Sequence, residues 1–160
     1  MTIRLADDGD KDAVWTILEP MIRRGDTYTL PRDMTKQLAL EFWFAPGNET
    51  FVFEEEGRIL GTYFLRANQH GGGAHVANCG YVTAAGCEGR GIARAMCLQS
   101  LERAKERGFR AMQFNFVVSS NERAVKLWVS LGFEVVGRLP GAFQHPSRGF
   151  VDALVMHRDL

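Results

Sequence analysis

A strand-like run, Tyr81-Val82-Thr83, passes through Ala84-Ala85-Gly86-Cys87-Glu88-Gly89-Arg90-Gly91 into a helical pattern that begins Ile92-Ala93-Arg94. The glycines let the main chain approach a bulky anion closely, because no Cβ stands in the way. The first amides of a helix have no partner within it, and here they point at the same place. The helix dipole adds about 1 kcal/mol toward holding negative charge there. Arg90 and Arg94 supply cations beside it. This spacing suits a phosphate or pyrophosphate cradle. An ordinary glycine-rich strand-to-helix turn has the same residues, and the turn alone does not separate the two.

Two phosphate-binding motifs fit poorly. A P-loop requires Lys followed by Ser or Thr after its last glycine, and Ile92-Ala93 stand there. A dinucleotide fold wants GxGxxG in its first parallel unit and an acidic residue about 20 positions on. Here the spacing is Gly89-x-Gly91-x-Ala93, no acidic residue lies from Gly108 to Asn121, and the turn follows an antiparallel meander.

Hydrophobic periodicity outlines the elements that hold this turn. Thr2 to Leu5 is a short strand, and Asp10 caps a helix with Val14, Ile17, Leu18, Met21 and Ile22 at helical spacing. Pro20 inside that helix predicts a break or kink. Gly25 to Pro31 is a loop, and Thr35 starts a second helix with Leu38, Phe42 and Ala45 on one face. Thr50–Phe53 and Ile59–Leu65 flank Glu55-Glu56-Gly57-Arg58 as a hairpin, and His75–Thr83 adds the third strand of a meander. A helix over Gly91–Arg107, a strand over Ala111–Val118 and a helix over Asn121–Leu131 follow. Strands Glu134–Leu139 and Phe150–His157 close the chain, with residues 140–150 between them as a loop. The fold class is α/β, one domain over residues 1–160.

The composition bounds the function. Lys plus Arg and Asp plus Glu both count 19 in 160 residues, a formal net charge of zero that argues against a nucleic-acid partner. Cys79, Cys87 and Cys97 are odd in number without CxxC spacing, so neither a disulfide framework nor a metal site is expected. The N-terminus lacks an apolar leader run and no stretch approaches 18 apolar residues. A soluble, cytoplasmic protein without a membrane partner is the expectation.

Glu88-Gly89-Arg90-Gly91-Ile92-Ala93 resembles the coenzyme A pyrophosphate loop of the GCN5-related N-acetyltransferases (GNAT), patterned Arg/Gln-x-x-Gly-x-Gly/Ala. Glu88 departs from the family's Arg or Gln. The run from Asn121 to Phe133 is similar to the family's Asn-x-x-Ala-x-x-Leu-Tyr-x-x-x-Gly-Phe segment, with Trp128 in place of Tyr. Core packing explains the stripe of Ala124, Leu127, Trp128 and Leu131. It does not explain why Asn121 opens that helix and Gly132-Phe133 end it. The two motifs stand in the family's order and separation, and the resemblance covers nearly the whole chain. Residues 25–28, 139–146 and 149–156 look like a subgroup that acetylates small amines, including toxic proline analogues.

The resemblance implies a GNAT fold, a mixed and mostly antiparallel sheet flanked by about four helices and splayed between its fourth and fifth strands. It implies acetyl-CoA as co-substrate and direct attack of a small-molecule or amino-acid amine on the thioester. The cofactor residues it implies are the main chain of Tyr81, Val82 and Thr83, the cradle Gly89, Arg90, Gly91, Ile92, Ala93 and Arg94, and also Asn121 and Trp128. An indole cannot protonate a leaving thiolate, but a thiol of pKa ~8.5 departs at pH 7 for about 2 kcal/mol, so no acid is assigned. Asn78 and Asn115 are the catalytic candidates, able to orient an amine without taking its proton. His75 and Glu41 are alternative bases. Thr27, Tyr28, Phe143 and His145 are the acceptor-pocket candidates, with Arg24 or Arg148 for an acceptor carboxylate. Acetylation of a protein N-terminus or lysine and a non-catalytic acyl-CoA-binding module stay open, and exposed strand edges are compatible with a homodimer.

Overall fold

The computed structural model describes residues 1–160, and its strands form a single sheet. β1 (Thr2–Leu5), β2 (Glu49–Glu55), β3 (Arg58–Ala67) and β4 (Val76–Thr83) make an antiparallel half. β5 (Ala111–Val118), β6 (Glu134–His145) and β7 (Gly149–Asp159) make the other, in the order β1-β2-β3-β4-β5-β7-β6. The parallel contact of β4 with β5 lasts two pairs, Val76–Ala111 and Ala77–Met112. Beyond them the strands part. Asn78 closes the apex of the opening, its Nδ2 donating to the Gln113 carbonyl at 2.9 Å where the next ladder bond would fall. On its other side β5 shifts register against β7 between Phe114 and Val117, a bulge of the kind that bends a strand.

Period-two alternation along the strands feeds two cores, one on each face. Val52, Phe64 and Val82 meet α1 (Lys11–Arg24) and α2 (Lys36–Trp43) through Val14, Leu18, Ala39 and Trp43. Phe51, Tyr63, Leu65 and Phe114 meet α3 (Ile92–Glu106) and α4 (Glu122–Ser130) through Met96, Leu101 and Trp128. Buried Thr62 is satisfied: its hydroxyl donates to the Phe51 carbonyl and accepts from the Trp43 indole, both at 2.9 Å. The fold is the mixed, splayed sheet with four helices that the resemblance implies. No helix is long and apolar enough to cross a membrane.

Three expectations are corrected. Pro20 does not break α1, because the carbonyl that loses its donor belongs to Thr16, an exposed residue. α2 buries Ala39 and Trp43 while Leu38 stays exposed, so its inner face lies one residue on from the expected stripe. Residues 140–150 are not a loop. β6 continues through Pro140 to His145 and turns tightly into β7. An edge strand tolerates proline at an irregularity. Here the register breaks between Leu139 and Phe143, and the Gly141 amide donates instead to Asp152 Oδ1 at 2.8 Å.

Gly61 on β3 sets how closely α3 approaches the sheet. A Cβ there would lie 2.9 Å from Ile92 Cγ2 and 3.0 Å from Met96 Sδ. Gly61→Ala must therefore push the first turn of α3 outward. We expect a loss of about 1–3 kcal/mol in thermal or urea unfolding, and an unchanged midpoint would mean that this approach is not tight.

Candidate active site

The divergence of β4 and β5 opens a cleft of about 730 Å³ that reaches from the start of α3 to the α1–α2 connection. The Trp128 ring stands 5.2 Å from Tyr81 and 5.1 Å from Phe114, centroid to centroid, and gives the cleft an aromatic floor.

The main chain of β4 is the first functional element. Asn68 N–H donates to the Val76 carbonyl and Ala84 N–H to that of Leu60, with unbroken register between. Since every second residue of an antiparallel pair bonds across it, Asn78, Gly80 and Val82 direct their main-chain groups to β3. Those of Cys79, Tyr81 and Thr83 face the opening. Of the expected trio, Tyr81 and Thr83 thus present amides to the cleft. Val82 contributes only its side chain. The Tyr81 carbonyl accepts the Tyr28 hydroxyl at 3.2 Å.

The glycine turn forms the second. Gly86, Gly89 and Gly91 all have φ near +80°, a region that L side chains avoid. Gly91 opens α3 with no side-chain cap, so the first amides of the helix are left for a ligand. Gly89, Gly91, Ile92 and Ala93 line the cleft, as does Arg94, whose Nη2 donates to Ser130 Oγ at 2.7 Å. Arg90 does not. Glu55 of β2 has taken its guanidinium as an ion pair, and it ties the loop down from outside. The cations that replace it come from α4: Arg123 and Lys126 line the cleft, and Arg123 Nη2 lies 3.5 Å from where a Gly89 Cβ would be. Their i, i+3 spacing just after Asn121 was the available signal. Asn121 borders the cleft and caps α4, its Oδ1 accepting from the Ala124 amide at 3.4 Å. Uncapped amides, left-handed glycines and three cations suit the pyrophosphate and phosphate of coenzyme A. Exposed Glu88 is the one carboxylate among the lining residues.

The far end holds the other candidates. Asn78 is 7% exposed, and its Oδ1 makes no bond to the protein. Asn115 also lines the cleft, but its amide is engaged: Nδ2 donates to Asn68 Oδ1 at 2.6 Å and Oδ1 accepts from Gln113 Nε2 at 3.0 Å. The two asparagines do not touch through hydrogen bonds. Thr27 and Tyr28 reach in from the α1–α2 connection. Gly80 makes room for them, since a Cβ there would lie 2.7 Å from Phe64 Cε1 and 2.9 Å from the Tyr28 hydroxyl. Phe143 and His145 are not in the cleft. Phe143 is buried behind Phe116, 6.3 Å between ring centroids, and it is Phe116 that lines the wall. His145 lies in a separate polar hollow of about 270 Å³ with Asp26, Ser120 and Arg148, which Thr27 and Asn121 also border. His75 and Glu41 stand outside both. Arg66, Phe116, Arg123 and Lys126 are lining residues that sequence reasoning missed.

Neither buried thiol is a ready nucleophile. Burial pushes the Cys79 and Cys97 thiols up to about 12 and also raises the phenols of Tyr28 and Tyr81. Half-buried Cys87 lines the cleft beside the cradle. In the native protein we expect one of the three thiols to react with a disulfide reagent within minutes, and bound coenzyme A to slow that reaction. Fast reaction of two or three thiols would contradict the burial of Cys79 and Cys97.

A sequence model of the Acetyltransferase (GNAT) family matches residues 14–133. A GCN5-related N-acetyltransferase from Kribbella flavida is 40% identical and superposes with a TM-score of 0.95, over 99% of this chain and 97% of that one. N-acetyltransferase aca1 of Schizosaccharomyces pombe is 26% identical over 151 residues, 84% of this chain and 72% of that protein. The yncA acetyltransferase of Salmonella typhimurium, solved with acetyl-CoA, is 23% identical with a TM-score of 0.88, over 100% of this chain and 94% of that one, and shares the fold. The chain with this splayed sheet and glycine cradle belongs to the GNAT family and is an N-acetyltransferase that uses acetyl-CoA.

Proposed function

We propose that the acceptor is the amine of a small molecule or amino acid, held at the Asn78 end of the cleft. The observation that carries this reading is the Tyr28 hydroxyl on the Tyr81 carbonyl. It pins the α1–α2 connection against β4, so Thr27, Tyr28, Phe64 and Phe116 wall that end on several sides. Such walls suit a compact acceptor better than a protein chain. A phosphinothricin acetyltransferase from Sinorhizobium meliloti, solved with acetyl-CoA, has the same fold at 20% identity and a TM-score of 0.86.

When bound, acetyl-CoA supplies the acetyl group as a thioester. The uncapped amides of α3, with Arg94, Arg123 and Lys126, hold its phosphates. Amides of β4 that face the opening, those of Cys79, Tyr81 and Thr83, are set to stabilise negative charge developing on an acyl oxygen. Asn78 Oδ1 accepts a hydrogen bond from the acceptor amine and aims its lone pair. Asn115, tied to Asn68 and Gln113, frames the same end. Trp128 packs along the floor and donates no proton to sulfur. The proton of the amine leaves through the open mouth of the cleft to water.

Thiol release from acetyl-CoA, followed against amino acids, proline analogues, polyamines and short peptides, tests the acceptor class. Rapid turnover of a small amine is expected. Silence across the small amines while acetyl-CoA still binds would move the reading to a protein acceptor or a sensing module. Asn78→Ala should lower kcat/KM more than tenfold and keep acetyl-CoA affinity. Unchanged turnover would remove Asn78 from the site.

A further inference from the structure

The far end of the cleft contains a cation that the reaction outlined above does not use. Arg66 lies on β3 directly across from Asn78 in the β3–β4 register, so their side chains leave the same face of the sheet with Cα atoms ~5.5 Å apart. Its guanidinium is held over the Phe64 ring, 5.0 Å from the centroid. That ring is the one that approaches Gly80 beside the Tyr28 hydroxyl. The half-buried head group therefore sits along the acceptor wall. Arg66 lines the cleft, and its guanidinium makes no ion pair and donates no hydrogen bond within the protein.

The charges around it are lopsided. Arg24 lines the same end, with Asp26 Oδ1 at 3.7 Å from its Nε as its only carboxylate. Glu88, the single acid among the lining residues, belongs to the cradle. The cradle begins beyond Thr83, about 17 Å from Asn78 by strand rise. Arg94, Arg123 and Lys126 stand at the cradle too, so the coenzyme's phosphates do not neutralise Arg66. An acceptor bearing a second ammonium would meet two guanidiniums here and little counter-charge. One bearing a carboxylate would meet a planar five-donor fork that suits it.

We propose that Arg66 is a specificity-determining residue that receives the acceptor's carboxylate, so that the preferred acceptor is an amino acid whose amine lies one or two carbons from that carboxylate. The short separation follows from Arg66 and Asn78 being direct cross-strand neighbours. This rests on the small-acceptor reading and narrows it, because a simple amine or a polyamine fills the walls without engaging Arg66.

The test uses matched pairs that differ by the carboxylate alone: L-leucine with 3-methylbutylamine, L-phenylalanine with 2-phenylethylamine, and L-proline with pyrrolidine, with 1,4-diaminobutane beside them. In at least one pair the acid should exceed the amine at least tenfold in kcat/KM, and Arg66→Met should cut that ratio at least tenfold. Arg66→Lys, which keeps the charge but not the fork, should fall between. Calorimetric binding of acetyl-CoA reports that each variant is folded, and if Arg66→Met is not, Arg66→Gln is read in its place. Equal turnover of acid and amine in every pair, preference for 1,4-diaminobutane, or an equal fall of both pair members in Arg66→Met would overturn the assignment. Silence with every compound while acetyl-CoA binds would overturn the small-acceptor reading itself, and this proposal with it.

Discussion

Everything in this molecule follows from how soon β4 and β5 stop pairing. Two parallel pairs join the halves of the sheet, and after Ala77 and Met112 the main chains separate. A buried strand edge normally demands partners for its amides and carbonyls. Here the groups of Cys79, Tyr81 and Thr83 are left facing a cleft, where a ligand can serve as the missing strand. Asn78 marks the limit, giving its side-chain amide to the Gln113 carbonyl so that the apex is closed before the opening begins.

The surrounding structure keeps that opening from collapsing. An aromatic cluster of Tyr63, Tyr81, Phe114, Trp128 and Phe133 fills the α3–α4 side, with neighbouring rings between 4.4 and 6.4 Å apart. On the other face Trp43 and Phe64 pack edge to face at 4.9 Å and support the wall where Tyr28 rests. The two glycines that let side chains press against the sheet, Gly61 under α3 and Gly80 under Phe64 and Tyr28, lie on adjacent strands three register positions apart and open onto opposite faces.

Much of this was legible in the chain because it rests on local rules. The glycine turn, the Asn121 cap and the order of elements are short-range features, and they gave the fold, the cradle and the family. What escaped depends on partners distant in sequence. Arg90 was a natural phosphate ligand until Glu55, 35 residues away, took it. Val82 could be told from Tyr81 only through the parity of the β3–β4 ladder. Pro140-Gly141 is loop-like by composition, and only a free edge and the Asp152 carboxylate make it strand. Arg66 had a weak signal, alternation that sets it on the same face as Phe64, but the register that puts it opposite Asn78 in the meander could not be read from the sequence.

The acceptor end of the cleft presents asparagines, aromatics and guanidiniums. No histidine lines it. Its buried thiol at Cys79 and the phenols of Tyr28 and Tyr81 are all shifted upward by burial, away from neutrality. These three groups thus stay neutral across neutral pH, while the incoming amine changes its own charge. The enzyme draws no pH gauge near neutrality from these three groups. How its rate climbs with alkalinity will be a property of whichever amine it is given, so the curve serves as a fingerprint of the substrate more than of the catalyst.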